Sequence, residues 1–229
     1  MRLWGAKEPF LRSNFNRSAL VRQLAGWQPA PADVPRQDLA ERLGQWFNVA
    51  DAIALSSLHQ AMPAVARARR PTVPASARAV QAELQRVRTT LSQAITSPPL
   101  EPGDEGTDAD FAPHHQRCLE QQRRMDMSIE ALRGHVRKTL SQTSARLAQL
   151  AALDAVLEPM LGGREQRLLA TVPGFLKARF AQLRQSHPGG WQPLFELDLQ
   201  QTLLAELDLR LQPVTGMVEA LSQEVKQHP

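Results

Sequence analysis

Tyrosine is missing from this sequence of 229 residues, and isoleucine occurs three times against 32 leucines and 31 alanines. Tyrosine and the β-branched residues favour strands, whereas leucine and alanine favour helices. The balance predicts an all-α protein, an elongated helical bundle with a long central helix and a smaller N-terminal helical module. A hydrophobic fraction of 42% and a charged fraction of 22% exclude a wholly disordered chain.

Cysteine and long apolar runs are also scarce. Cys118 is the single cysteine, which excludes an internal disulfide and is typical of a reducing compartment. No run of about 18 apolar residues occurs, so we expect no membrane insertion. The first residues lack the apolar core of a secretory signal. These absences together predict a cytoplasmic location.

Basic residues outnumber acidic ones, 27 to 23, and 23 of the 27 are arginines. The charges are arranged in blocks. Residues 101–113 contain five acids and no base, whereas residues 117–190 contain 12 bases and six acids. This polarity is explained either by charge compensation within the molecule or by an anionic partner.

Proline-rich stretches divide the chain, because proline fixes φ and donates no hydrogen bond. We predict an N-terminal helical module over residues 1–62 and a basic, proline-rich linker over 63–75. A helical bundle follows over 76–229, with an acidic loop at 97–113. Within the bundle, apolar residues at helical spacing predict a helix over 76–96.

A much longer helix is predicted over 113–161, because eleven mainly apolar positions recur there with a mean spacing of 3.6 residues. Unbroken, it would measure about 70 Å. Gly162-Gly163 is a typical helix stop. The next helix should then cover 164–186, with a kink at Pro173-Gly174. The last, leucine-rich region should cap the bundle, with a break near Pro213 and Gly216.

Two pairs of side chains have the spacing of a chemical site. His114 and Cys118 are four residues apart, as metal ligands on one helix face are. A third ligand would have to come from Asp108 or Asp110, and two ligands alone do not make a site. We therefore predict no metal and no cofactor.

Ser56 and His59 lie one turn apart, with Asp51 upstream, but no glycine-built oxyanion hole or nucleophile elbow accompanies them. Such neighbours arise by chance on polar helices. We therefore predict no catalytic residues and no enzyme activity.

Aromatic residues are concentrated near the N-terminus, where they can form either the core of a small module or the anchors of an interface. As candidate partner-binding residues we name Trp27, Trp46 and Phe47.

Arginines support a different hypothesis. Arg67, Arg69 and Arg70 lie in the predicted linker, where they can follow a phosphate backbone. Further arginines on the long helix extend this basic patch, although acids interleave with them, and no aromatic residues accompany them for stacking on bases. Nucleic-acid binding through these three arginines is therefore the alternative function.

The segment from Leu43 to Ser57 resembles the signature of a bacterial family of uncharacterised proteins of about this length. The sequences around Ser18 to Leu24 and from His114 to Leu161 fit the same pattern. The resemblance transfers no catalytic residue. It implies genes near stator-like and OmpA-like envelope proteins, and hence an accessory or scaffold role at an envelope complex.

These observations predict a non-enzymatic, cytosolic adaptor or assembly factor that acts through helix-mediated protein–protein contacts. Its partner is another protein, and self-association is compatible with the same contacts. The anchors should come from the aromatic N-terminal module or from the leucine-rich C-terminal region.

Overall fold

The computed structural model describes residues 18–27, 46–67, 77–97 and 110–227. Within these ranges every regular element is a helix, which confirms the predicted all-α fold. The helices are α1 (Ala19–Gly26), α2 (Val49–Arg67), α3 (Ala77–Thr96), α4 (Ala112–Thr143), α5 (Ala145–Leu169), α6 (Val172–Ser186) and α7 (Trp191–Gln227).

Helix α7 runs through the centre of the bundle and packs against α1, α3, α4, α5 and α6. Its inward residues are fully or almost fully buried, namely Phe195, Leu199, Leu203, Leu207, Leu211, Val214, Val218 and Leu221. The expectation that the C-terminal region caps the bundle is therefore wrong. Its leucines are the core, because a helix surrounded on several sides buries apolar residues around most of its circumference.

Ion pairs and hydrogen bonds give the directions of the helices. Helix α4 runs parallel to α7, because Arg117 pairs with Glu196 and Gln122 with Glu206 further along both helices. Helix α3 runs antiparallel to α4, since its C-terminal carbonyl at Ile95 accepts from Arg117. The predicted stripe of α3 is confirmed, with four members buried and one partly buried: Val80, Leu84, Val87, Leu91 and Ile95.

The predicted continuous helix over 113–161 is wrong, because the chain reverses direction at Ser144. This residue has extended backbone angles (φ −141°, ψ 160°), and its hydroxyl accepts a hydrogen bond of 3.2 Å from the Leu147 amide. Helix α5 then returns antiparallel along α4, which places Asp154 beside Arg133. A helical hairpin replaces the predicted rod.

The stop predicted at Gly162-Gly163 is also wrong, because α5 continues through both glycines to Leu169. The chain leaves the helix at residues 170 and 171, and α6 begins at Val172 with Pro173 in its first turn. Proline is favoured there since its missing N–H would have no partner in the helix. Pro173 thus marks a helix start, not the predicted kink.

Helix α7 does not break near Pro213 and Gly216, contrary to the prediction, but continues through both residues. The chain does leave the helix at residues 187–190, between α6 and α7. Gly189 has φ +86° in this turn, a left-handed conformation that glycine adopts without strain.

The two described helices of the predicted N-terminal module pack against different parts of the bundle. Helix α1 buries Leu20 and lies against α7, whereas α2 lies against α5. Helix α2 extends beyond its predicted end at Met62 as far as Arg67, so the first five residues of the predicted linker are helical. Residues 68–76 and 98–109 lie outside the described ranges. The division into domains stays a prediction.

Candidate functional site

Helix α2 differs from the other described helices in its burial. None of its 19 residues is buried. The side facing α5 consists of half-buried residues, including Leu55, Leu58 and Met62, while the opposite side is exposed. Val49 is 77% exposed and Ile53 is 61% exposed. The helix therefore presents one complete face to solvent.

The exposed face of α2 carries little charge. Between Asp51 and Arg67 the helix contains no charged side chain. Residues on this face recur at helical spacing, and we call them the outward seam: Val49, Ile53, Ser56, Gln60, Pro63 and Arg67. Alanines flank the seam. A face with one charged residue and many small side chains allows another helix to approach closely.

Polar contacts fix α2 on α5 and define where it starts. The Gln149 side-chain amide donates to the Met62 carbonyl at 3.0 Å. At the N-terminus, Asn48 and Asp51 cap the helix reciprocally, each side chain accepting from the other's backbone amide at 2.9 Å. The outward face is thus held in a defined orientation.

The three aromatic candidates are all half-buried. The Arg164 guanidinium of α5 lies over the Trp46 ring, 5.9 Å from its centroid, and also donates to the Trp46 carbonyl. Trp27, just after α1, is covered in the same way by Arg179, 5.6 Å from the ring centroid. Since both indoles already stack under a cation, they attach the N-terminal helices to the bundle. Their role in binding a partner stays a prediction.

The arginine candidates lie at the end of α2 and beyond it. Arg67 is exposed, and its Nε donates to the Pro63 carbonyl at 3.1 Å. Arg69 and Arg70 lie outside the described residues. Two further arginines of the predicted basic patch lie on α4 and are paired with carboxylates of α5. The Arg133 guanidinium donates to Asp154 at 2.6 and 2.9 Å, and Arg137 contacts Glu158.

A polar cavity of about 340 Å³ opens between α4, α5 and α7. Four carboxylates and two guanidinium groups contribute to its wall, from Asp126, Glu130, Arg133, Glu158, Glu165 and Arg210. Burial raises the pKa of Glu165, and the nearby Asp126 raises it further, while Arg210 and Arg133 lower it. The wall includes no serine, threonine, cysteine or histidine side chain, so it presents no nucleophile of those types.

Beneath this cavity lies a buried ionic cluster. Glu206 is fully buried, and its carboxylate accepts from Gln122 at 3.0 Å and from Arg210 at 2.7 Å. Arg210 also contacts Asp126, while Gln122 donates to the Leu169 carbonyl at 3.1 Å. The cluster joins α4, α5 and α7. Every charge in it has a partner, which is the condition for tolerating charge at this depth.

Neither of the two residue pairs that have the spacing of a chemical site is arranged as such a site in the described chain. His114 packs edge-on against Phe195, with ring centroids 4.9 Å apart, and Cys118 is fully buried. Burial and the carboxylate of Glu206 raise the pKa of the Cys118 thiol to about 12.

The two candidate third metal ligands are not brought to this pair either. Asp110 accepts from the Ala112 amide at 3.1 Å, and Asp108 lies outside the described residues. No group of three His, Cys, Asp or Glu side chains in the described ranges could hold a metal ion.

The second pair, Ser56 and His59, lies exposed on α2. Asp51 has a structural role there, because its carboxylate caps the helix at Asn48. Neither side chain contributes to the wall of the cavity between α4, α5 and α7.

A comparison with protein families finds one matching model, described as a protein of unknown function, DUF3348, over residues 7–223. The chain belongs to this family. No curated protein and no solved structure matches it. The family description assigns no role to any residue, so membership leaves the described surfaces as the basis for a functional proposal. None of the described helices has the length and apolarity needed to cross a membrane.

Proposed function

We propose that this family member is a non-enzymatic assembly factor that binds other protein chains through the outward face of α2. The observation that carries the proposal is the burial of α2, a complete helix of 19 residues without one buried side chain. The contact of α2 with α5 buries none of its residues completely, so the exposed face, with Arg67 as its one charged member, is best explained by a partner that covers it.

The structure directs the proposal to α2 because the other predicted anchor is not accessible. The leucine-rich C-terminal region forms α7, whose apolar residues fill the centre of the bundle. The aromatic candidates Trp27 and Trp46 lie under arginines. Of the two predicted anchor regions, only the N-terminal one therefore offers an accessible surface, the exposed face of α2.

Ion pairing supports protein binding over nucleic-acid binding. Arg117, Arg133 and Arg179 each pair with a carboxylate of another helix at 2.6–2.8 Å. A guanidinium paired in this way adds little positive potential to the surface. The resemblance of the segment from Leu43 to Ser57 supports an accessory role for this binding at an envelope complex.

Photo-cross-linking in the native host tests this proposal. A benzophenone amino acid replaces Gln60 on the outward seam in one variant and Met127 in another. Met127 lies on α4 and is 68% exposed, so it reports on random encounters. We expect protein adducts from position 60 and none from position 127.

Equal adducts from both positions, or none from either, would contradict the proposed function. Adducts that disappear on nuclease treatment would favour the nucleic-acid alternative.

A further inference from the structure

The polar cavity between α4, α5 and α7 has more negative than positive charge on its wall. Four carboxylates and two guanidinium groups line it, which gives the wall a formal net charge of −2. Two of the carboxylates are matched, because Asp126 contacts Arg210 and Glu158 pairs with Arg133 at 3.3 Å. Within the described chain, the carboxylates of Glu130 and Glu165 have neither an ion pair nor a hydrogen bond.

The two arginines of the wall are committed to other carboxylates behind it. Arg133 donates to Asp154 at 2.6 Å, and Arg210 donates to Glu206 at 2.7 Å. Each guanidinium therefore already serves two acidic side chains. The cavity wall has no described cation left over to neutralise its two unpaired carboxylates.

Glu165 is the unpaired carboxylate that a cation would stabilise most. Its residue is half-buried, and burial raises the pKa of its carboxyl because water solvates the charge poorly there. A cation beside it would act at a lower effective dielectric constant than on an open surface, so the attraction would be stronger.

Two adjacent glycines enlarge the cavity at the same place. Gly162 and Gly163 lie inside α5 and contribute to the cavity wall, although glycine is among the least favourable residues in a helix interior. A Cβ at either position would meet nothing within 4 Å. No close approach of another helix therefore requires these glycines, and the side chains that they lack leave open space for a ligand.

Apolar groups separate the carboxylates along both long walls. On α5, Glu158 and Glu165 flank Pro159 and the two glycines in the sequence, and on α4, Ile129 lies between Asp126 and Glu130. A ligand that matches this wall has positive charges joined by an aliphatic chain.

We propose that this cavity binds an aliphatic diamine, with its two ammonium groups at Glu165 and Glu130. Two ammonium groups neutralise the net charge of the wall, and the alkyl chain contacts Ile129, Pro159 and the glycines. The volume of about 340 Å³ lies in the range of small-molecule sites. Helix α2 contributes no residue to the cavity wall, so this site is additional to the proposed protein-binding surface.

Isothermal titration calorimetry of the full-length chain with putrescine, a diamine with a four-carbon chain, tests the proposal. Butylamine has the same chain with one charge, and magnesium chloride supplies two charges without a chain; both are titrated at matched ionic strength. We expect one putrescine per chain and at least about tenfold weaker binding of either comparator, because each lacks one of the two features that the wall matches.

Three variants locate the binding. Glu165→Gln removes one of the unpaired charges, and Gly162→Leu fills the cavity without changing its charge. Glu219→Gln is the matched control, since Glu219 is exposed on α7 and outside the cavity wall. We expect at least about tenfold weaker putrescine binding for the first two variants and unchanged binding for the control. Circular dichroism checks that all three fold.

Three results would overturn the inference: no putrescine binding at millimolar concentration, equal binding of butylamine or magnesium, or putrescine binding that Glu165→Gln and Gly162→Leu leave unchanged. The last result would mean diffuse attraction to the acidic surface. Because α2 takes no part in this cavity, cross-linking at position 60 reports on the proposed function independently of these titrations.

Discussion

Glu206 is a fully buried carboxylate. Hydrogen bonds from Gln122 and Arg210 offset the free-energy cost of removing its charge from water. Removing one member of such a cluster leaves an uncompensated charge where water cannot reach it. Arg210 is the member whose loss should matter most, because it contacts both Glu206 and Asp126.

Arg210→Met should lower the free energy of unfolding by about 3–5 kcal/mol at neutral pH. Urea titration of the purified chain measures it. Adding Glu206→Gln should recover part of the loss, since the buried charge is then gone. Arg124→Met is the control, because Arg124 pairs with Glu120 in an exposed position and should cost at most about 1 kcal/mol. Equal losses for both arginines would contradict this account.

The pH dependence of stability follows from the same carboxylate. Burial raises the pKa of Glu206, and Arg210 and Gln122 offset only part of that rise. As the pH rises, Glu206 therefore ionises first in the unfolded chain, and the folded state loses stability between the unfolded and folded pKa values. Glu206→Gln has no such loss.

We expect the free energy of unfolding of Glu206→Gln, minus that of the wild type, to increase as the pH rises from about 4, near the usual pKa of a glutamate, towards neutral pH. Parallel urea titrations across that range measure the difference. A difference that stays constant, or that decreases with pH, would show that the Glu206 pKa is not raised in the folded protein.

Among the helices, the reversal between α4 and α5 takes place at one residue, Ser144. The Ser144 hydroxyl accepts from the Leu147 amide, which satisfies a donor at the start of α5. Ser144→Ala should destabilise the protein by about 1 kcal/mol, and Ser144→Asp should not, because aspartate caps equally well. Thermal unfolding of both variants is the measurement. An unstable aspartate variant would mean that the hydroxyl has another role.

Alanine substitutions at two glycines should change the stability of the protein in opposite directions. Gly216 lies exposed within α7, and a Cβ there would meet nothing within 4 Å. Gly216→Ala should therefore raise stability by about 0.5–1 kcal/mol through helix propensity. Gly189 has φ +86°, so Gly189→Ala should lower stability by about 1 kcal/mol or more. Denaturant unfolding of the two variants compares them, and the same sign for both would be inconsistent with this description.

These elements show which features the sequence determines locally. The stripe of α3 was predictable because five apolar residues share one face. The turn at Ser144 was not, since neither glycine nor proline marks it. Gly162-Gly163 and Pro213 carry local stop signals, yet α5 and α7 continue through them. Tertiary packing outweighs a propensity cost of about 1 kcal/mol for a glycine.

The candidate surface was only partly predictable for a similar reason. The N-terminal region was identified from its aromatic residues. Trp46, however, is covered by Arg164, which lies 118 positions away in the chain. No local pattern reports such a distant partner. The uncharged stretch between Asp51 and Arg67 was the available signal, although it equally predicts a buried helix.

At the scale of the whole molecule, the described chain combines a bundle organised around α7 with a helix, α2, none of whose residues is fully buried. Helix α2 is fixed on α5 and leaves the outward seam free of charge except at Arg67. The central claim is that this face binds other protein chains.

Photo-cross-linking in the native host tests this claim most directly, with a benzophenone amino acid at position 60 in the wild-type chain, in Ile53→Glu and in Met127→Glu. Ile53 and Met127 are similarly exposed, 61% and 68%, so neither substitution should disturb the fold. We expect equal yields of protein adducts for wild type and Met127→Glu, and an about tenfold lower yield for Ile53→Glu, because the contact would bury an unpaired carboxylate. Equal yields from all three proteins, or no adducts from any, would contradict the account.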